Sequence, residues 1–332
     1  MYTGDQREEA VSFGVVCKNM TRRYLTALVR VLSAIMLLAA ILWAANFPYH
    51  TDAPLTSAEL AAARRYYTEI YRKPADDLAP VETDYDRRYQ EVAERAAKDF
   101  KIVDKVSDFV TRFKLAKKPV LEIGSGRGYL QDVAENYIGL DISSSVARFY
   151  HKKFVVGTAT ALPFPDDSFE GVWSIWVLEH VPNPEQAFRE MRRVTRENGV
   201  IYLSPAWNVD PWAAQGYAVR PYSDFGLWGK WIKASLILRS SIYVRVAGTL
   251  PVRLSRALAA RFGPTTLRYT RLQPNYDEYW INDSDAVNSI DSYEGALWFL
   301  SRGDECLNCG DSPILLPMFN GPLIIRVHKL AR

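Results

Sequence analysis

The chain has 332 residues, 48% of them hydrophobic and 24% charged, with 41 Lys and Arg against 38 Asp and Glu for a formal net charge of +3. This is globular composition: it excludes disorder and collagen-like repetition, and three cysteines (Cys17, Cys306 and Cys309) exclude a disulfide-rich mini-protein. A balance so near zero argues against a dedicated nucleic-acid binder unless the charge is unevenly spread along the chain.

Residues 1–23 read as a tail before a membrane-anchor helix predicted over 24–50. Val31 to Thr51 holds 21 residues without a formal charge, and as a helix such a run reaches about 30 Å, one bilayer core. Trp43, Phe47 and Tyr49 suit a membrane interface, Pro48 supplies a stop, and Arg30 can snorkel from the other end. A cleavable signal sequence fits less well, because no small-x-small pair of the Ala-x-Ala kind occurs within Val31 to Phe47. A buried helix of a soluble protein is the remaining alternative. Residues 51–115 read as a helical linker, with Ser57, Glu59 and Glu69 in a first stretch. In a second, Tyr89, Val92, Ala96, Phe100, Val103, Val106 and Val110 recur at three- and four-residue intervals.

From Lys118 the rhythm becomes strand, glycine loop, helix, strand, which predicts a parallel sheet over a core at 116–207. Val120-Leu121-Glu122-Ile123 is short and apolar and runs into Gly124-Ser125-Gly126-Arg127-Gly128, where glycines let the backbone approach a ligand. A second strand, Tyr137 to Ile142, carries Asp141 near its tip, placed to accept from ribose hydroxyls. A dinucleotide site wants G-x-G-x-x-G; here the third glycine comes one residue early and Tyr129 takes its place.

This spacing resembles motif I of the class I S-adenosylmethionine (SAM)-dependent methyltransferases, of the type 11-like domain. Gly157 to Glu170 resembles the family's stretch after strand three, and Val172 to Val181 its strand four and following loop. Asn183-Pro184-Glu185-Gln186 starts a helix whose apolar face is Ala187, Met191 and Val194, closed by Asn198-Gly199, and Val200 to Ser204 reads as strand five. The resemblance implies an α/β, Rossmann-like sheet of seven strands, the last antiparallel, with helices on both faces. It implies SAM as cofactor, held by Glu122, Gly124 and Gly126 at the methionine end and Asp141 at the ribose, with Ile142 and Leu162 flanking the adenine and Ser125, Gly128, Thr158, Ala159 and Trp176 also in the cofactor site. Where the family often has Asp, this chain has Thr158, whose hydroxyl accepts without charge assistance. Trp176 lines the methyl pocket or packs in the core.

The sulfonium is already an activated donor, so the enzyme mainly aligns acceptor, methyl and sulfur. His180 with Glu179, in the loop after strand four, is the candidate general base; the other reading is that the two only shape the loop. Residues 208–290 form a mostly helical insertion where acceptor choice should reside, and 291–332 return to the core with a helix at Ser292 to Ser301 and two last strands. That helix is opened by Asp291, with Glu294 as its capping-box partner. Within the insertion, Trp212 to Gly263 has eight Lys and Arg and one acid, interleaved with Trp228, Trp231, Leu236, Ile237, Leu238, Ile242, Tyr243 and Val246. That pattern fits a face toward anionic lipid, a solvated lid, or least well nucleic acid. Cys306 and Cys309 have the spacing of half a zinc site, but with no second pair the expectation is no metal and ordinary strand or turn cysteines.

These readings predict a membrane-anchored SAM-dependent methyltransferase acting on a small-molecule or lipid-linked acceptor, with the catalytic domain facing the cytosol. Lys18, Arg22, Arg23 and Arg30 precede the apolar run, and by the positive-inside rule they argue the opposite orientation; Asn282-Asp283-Ser284 is a glycosylation sequon. The alternatives are a non-catalytic SAM-binding or membrane-scaffold protein and, disfavoured by the glycine spacing, a nicotinamide dehydrogenase. Acceptor and oligomeric state are not encoded in any motif.

Overall fold

The computed structural model describes residues 23–38, 56–70, 95–239, 241–278, 280–310 and 321–329. The chain divides into two compact units, one of Met1–Phe47 with Ser235–Thr249, the other of Pro48–Ala234 with Leu250–Arg332.

The larger unit is built on a seven-stranded sheet in the order β3-β2-β1-β4-β5-β9-β8. Its strands are β1 (Val120–Ile123), β2 (Tyr137–Asp141), β3 (Lys153–Val156), β4 (Phe169–Ile175), β5 (Thr195–Ser204), β8 (Glu305–Cys306) and β9 (Leu323–Arg326); β6 (Tyr269–Arg271) and β7 (Asn288–Ile290) pair separately. Strands β1 to β5 run parallel, and β9 is antiparallel to both β5 and β8. This is the expected sheet, with its last strand reversed. Alternation decides the two faces. Leu121, Ile123, Val172, Ile201 and Leu203 pack with α3 (Pro184–Val194) and α6 (Ser292–Leu300), whereas Val120, Trp173, Val200 and Tyr202 pack under α2 (Ile102–Arg112).

Several expectations change in detail. No α-helix follows the glycine loop; residues 129–136 form turns, and β2 reaches β3 through the short 3-10 segment Ser144–Phe149. Of the thirteen residues between β1 and β2 the glycine loop takes five, and the eight that remain before β2 are spent on turns. Helix α3 ends at Val194 rather than at Asn198-Gly199, because the Thr195 hydroxyl caps Met191 O at 2.7 Å and the chain enters β5 at once. Asn183 caps its start, accepting from Gln186 N at 3.0 Å. At α6, Asp291 is the N-cap as expected, but Glu294 does not close a capping box: it pairs with Arg256 at 2.9 Å, and Asp291 takes Arg253 at 2.6 Å. Both arginines come from α5 (Ile242–Ala259), which with α4 (Leu227–Arg239) makes up less than half of the 208–290 segment; the rest is turn, loop and the β6–β7 pair, so the segment is less helical than expected. Two cations of the basic segment are thereby spent on the fold. Cys306 and Cys309 are joined in a disulfide, a correction to the expectation of ordinary cysteines.

The transmembrane helix expected over 24–50 does not appear among the described residues. Residues 23–38 are helical, sixteen residues that span about 24 Å, short of the ~30 Å hydrocarbon core. No helix of the described residues is long and apolar enough to cross a membrane; residues 39–50 of the predicted anchor lie outside them. Of the second linker stretch, Tyr89 and Val92 also lie outside, and α2 carries Val106 and Val110 into the core.

Phe188 on α3 is fully buried between Trp298 and Phe299 at ring separations of 5.5 and 5.0 Å. Phe188→Ala should lower the unfolding free energy by about 3–5 kcal/mol, measured by urea denaturation of the full chain.

Candidate functional site

The strand order reverses between β1 and β4, and in an open parallel sheet the crevice outside the carboxyl ends at that point is where ligands bind. A pocket lies there. From the predicted set it is lined by Gly124, Gly126, Asp141, Ile142, Thr158, Ala159, Trp176 and His180.

The glycine loop turns because Gly124, Gly126 and Gly128 all take positive φ, at 71°, 47° and 73°. At Gly124 a Cβ would also stand 2.1 Å from the Val177 side chain, so both conformation and space demand glycine there. Asp141, at the end of β2, fixes the loop: Oδ2 accepts from Gly126 N at 2.9 Å and Oδ1 from Ser143 N at 2.9 Å. Burial pushes its carboxyl up while these backbone donors oppose the shift. A carboxylate offers about four lone-pair positions, so capacity for two ribose hydroxyls remains. Tyr150 donates to the carbonyls of Ser125 and Gly126, at 2.9 and 3.0 Å, and closes the outer side of the loop.

Glu122 does not line the pocket. It is buried beneath the loop, where it accepts from the Tyr137 hydroxyl. Burial raises its pKa to about 8, against the opposing hydrogen bond from Tyr137. Ser125 is buried with an unpartnered hydroxyl, and Leu162 turns into the core while Glu190 and Arg193 of α3 hold its backbone at 2.8 and 3.0 Å. Thr158 faces the pocket, its hydroxyl 3.0 Å from that of Thr160. Trp176 takes φ 53°, rare for a bulky side chain, and stands edge-on to Phe100 with ring centroids 5.8 Å apart.

Sequence reasoning missed two contributions. Helix α1 (Ser57–Ile70), read as linker, supplies Leu60, Ala63 and Tyr67 to the pocket wall. Thr56 and Glu59 form its capping box, with Glu59 Oε2 2.8 Å from Thr56 N, a spacing legible in sequence. What α1 packs against was not legible: Ser145 Oγ donates to Thr68 O at 2.8 Å, and Tyr66 meets Tyr276. The insertion supplies Asp283 and Asp285. Tyr67 donates to Asp285 Oδ2 at 2.8 Å, and His180 Nδ1 is 3.6 Å from the same oxygen. Burial pushes His180 down, but Asp285, Glu179 and Asp283 outweigh it and its pKa is raised. Burial pushes Glu179 up.

Comparison with known proteins bears on the same segment. Residues 121–203 match the model of a methyltransferase domain. An uncharacterized protein of Methanocaldococcus jannaschii is 31% identical over 45% of this chain and 53% of its own length. A Mycobacterium avium protein, described as an uncharacterized methyltransferase, is 36% identical over 27% of this chain and 40% of its own. The chain thus spans about half or less of the relatives it matches. The YcgJ protein of Bacillus subtilis is 27% identical over 31% of this chain and 50% of that one, at a TM-score of 0.28, too slight a likeness to carry an argument. Residues 121–203, which match the methyltransferase-domain model, include the glycine loop, Asp141, Thr158 and His180 of the pocket described above.

Glu122 gives a pH dependence with a definite sign. Its folded pKa lies above its unfolded one, so its contribution to stability is full below pH 4.5 and is lost as pH rises toward about 8. Between pH 4.5 and 8.5 the unfolding free energy of the wild type should fall by a few kcal/mol more than that of Glu122→Gln, on the order of the shift. Urea titrations of both proteins across that range measure it; parallel curves would contradict the burial argument.

Proposed function

We propose that this protein is a SAM-dependent methyltransferase whose cofactor lies along the carboxyl ends of β1, β2 and β4. The observation that carries the reading is the union, in one pocket, of the left-handed glycine loop with the Asp141 carboxylate that pins it and the apolar residues Ile142 and Ala159. Gly124 and Gly126 would hold the methionine end of SAM, with Glu122, Ser125 and Gly128 supporting the loop from outside the pocket, Asp141 would hold the ribose, and Ile142, Thr158 and Ala159 the adenine. SAM supplies an activated methyl group. The chain's own work is alignment and exclusion of water, for which α1 and Trp176 close the pocket. Where an acceptor must lose a proton, the carboxylate-flanked His180 is the pocket-lining group able to manage it.

Calorimetric titration of the full chain with SAM and with S-adenosylhomocysteine should give micromolar-range binding of both, removed by Gly126→Arg and by Asp141→Ala in proteins that stay folded. Retained binding in both variants would refute the site. Binding without transfer of labelled methyl to any membrane-extract component would favour the non-catalytic scaffold.

The acceptor is proposed to be presented at a lipid surface. Residues 23–38 form a helix exposed throughout, with Leu25, Leu28, Leu32, Ile35 and Met36 all open to solvent, and α4 exposes Leu227, Trp228 and Trp231. Lys230 stands among those aromatic residues, as interfacial helices require. Flotation with vesicles of phosphatidylcholine and phosphatidylserine should carry the wild type upward and leave a Leu28→Glu, Leu32→Glu double variant behind. Equal behaviour of the two proteins would count against the 23–38 helix as a lipid-binding element.

A further inference from the structure

The turn at Leu178–His180 and the loop at 281–288 bring together side chains for which methyl transfer has no necessary use. Val287 N donates to Glu179 O at 2.9 Å and Asn288 Nδ2 donates to Val181 O, so the two segments are laced by backbone. Glu179 is 0% exposed, yet neither of its carboxylate oxygens has a hydrogen-bond partner. Its Oε1 lies 3.8 Å from His180 Nε2. One donor atom each from Glu179, His180 and Asp283 lies within 4.8 Å of the others. Asp285, 1% exposed, adds a third carboxylate at 3.6 Å from His180 Nδ1. Even a protonated imidazole leaves this buried group short of positive charge, and an unpaired carboxylate out of water is costly.

We infer that Glu179, His180 and Asp283 bind one divalent transition-metal ion at the wall of the pocket. Two carboxylates and an imidazole suit Mn²⁺, Fe²⁺ or Zn²⁺; an all-oxygen set would suit Mg²⁺ or Ca²⁺, and thiolates softer ions. Ligands at about 2.0–2.2 Å from a common ion stand roughly 3–3.6 Å apart, so a pair at the 4.8 Å limit closes by somewhat more than about 1 Å to share an ion whose other positions are left to water or acceptor. The surroundings match what such an imidazole needs. Asp285 stands behind the Nδ1 side at 3.6 Å, outside hydrogen-bond distance, and is itself oriented by the Tyr67 hydroxyl at 2.8 Å; a small approach of the ring would give the carboxylate–histidine arrangement that fixes a metal-binding imidazole. Asp283 holds φ 62°, a conformation that Asp and Asn tolerate. On the methyltransferase reading, an ion here would lower the pKa of an acceptor hydroxyl; the binding itself does not depend on that reading.

Equilibrium dialysis of the full chain, stripped with a chelator and without SAM, against Mn²⁺ and against Zn²⁺ tests the inference. One ion per chain is expected, with affinity weakened at least about tenfold in both Glu179→Gln and Asp283→Asn. Asp283→Asn preserves the backbone conformation, so its ion-free melting temperature should match the wild type even if Glu179→Gln folds poorly. Asp132→Asn, which removes the exposed partner of His151, should bind as the wild type does. Absence of a bound ion, binding retained in Asp283→Asn, or loss on Asp132→Asn would each overturn the site. SAM titration of the same samples reports on the cofactor site separately.

Discussion

The pocket depends on one carboxylate. Asp141 ends β2 with both oxygens taken by backbone amides, one from the glycine loop that leaves β1 and one from the turn that leaves β2. Two parallel strands would otherwise release two unrelated loops at their carboxyl ends. By tying them together at 2.9 Å, Asp141 turns adjacent strand ends into a single concave wall. That role and a role toward ribose hydroxyls are compatible, because the amides use only part of the acceptor capacity of the carboxylate. The three left-handed glycines and the Tyr150 hydroxyl bonded to the loop carbonyls then leave that wall little freedom to collapse.

The opposite wall depends on segments far away in the chain. Helix α1 lines it from the N-terminal side, and the 281–288 loop at the end of the insertion meets that helix behind it, at the Tyr67–Asp285 hydrogen bond beside His180. The consequence is electrostatic. Three carboxylates converge on one imidazole, and the fully buried Glu179 has no hydrogen-bond partner there, only His180 at 3.8 Å. Folding that maximised stability alone would have replaced such a group with apolar side chains. Its presence sets this end of the pocket apart from the cofactor end, where the buried Asp141 is satisfied by backbone donors.

The parallel sheet and the glycine loop at its crevice were legible because they follow from local pattern. Short apolar strands with period-two faces, a glycine loop and an acid at the next strand tip fix both a parallel sheet and the place where its crevice opens. Asn183, Pro184 and Asp291 named their helix ends for the same reason, since a cap is satisfied within a few residues. Glu294 shows where that logic stops. Its spacing from Asp291 fits a capping box, but Arg256 from the insertion offers a charge-assisted partner, and the longer-range bond wins. Leu162 and Glu122 fit the motif's order and yet lie in or beneath the core, because order in a motif does not state which side of a strand end faces the ligand.

The amino-acid sequence by itself thus determined the α/β sheet, the glycine loop and the carboxylate facing it, all of them set by interactions between residues close in the chain or on neighbouring strands of a regular pattern. Only the tertiary structure decided that α1 walls the pocket, that Asp283 and Asp285 surround His180, that two basic-segment arginines belong to the fold, and that Cys306 and Cys309 are bonded to each other. His180 and Asp285 are more than a hundred positions apart, and no periodicity or spacing encodes such a meeting. It arises from the packing of whole elements, which bury their apolar faces first and bring the polar residues together as a result.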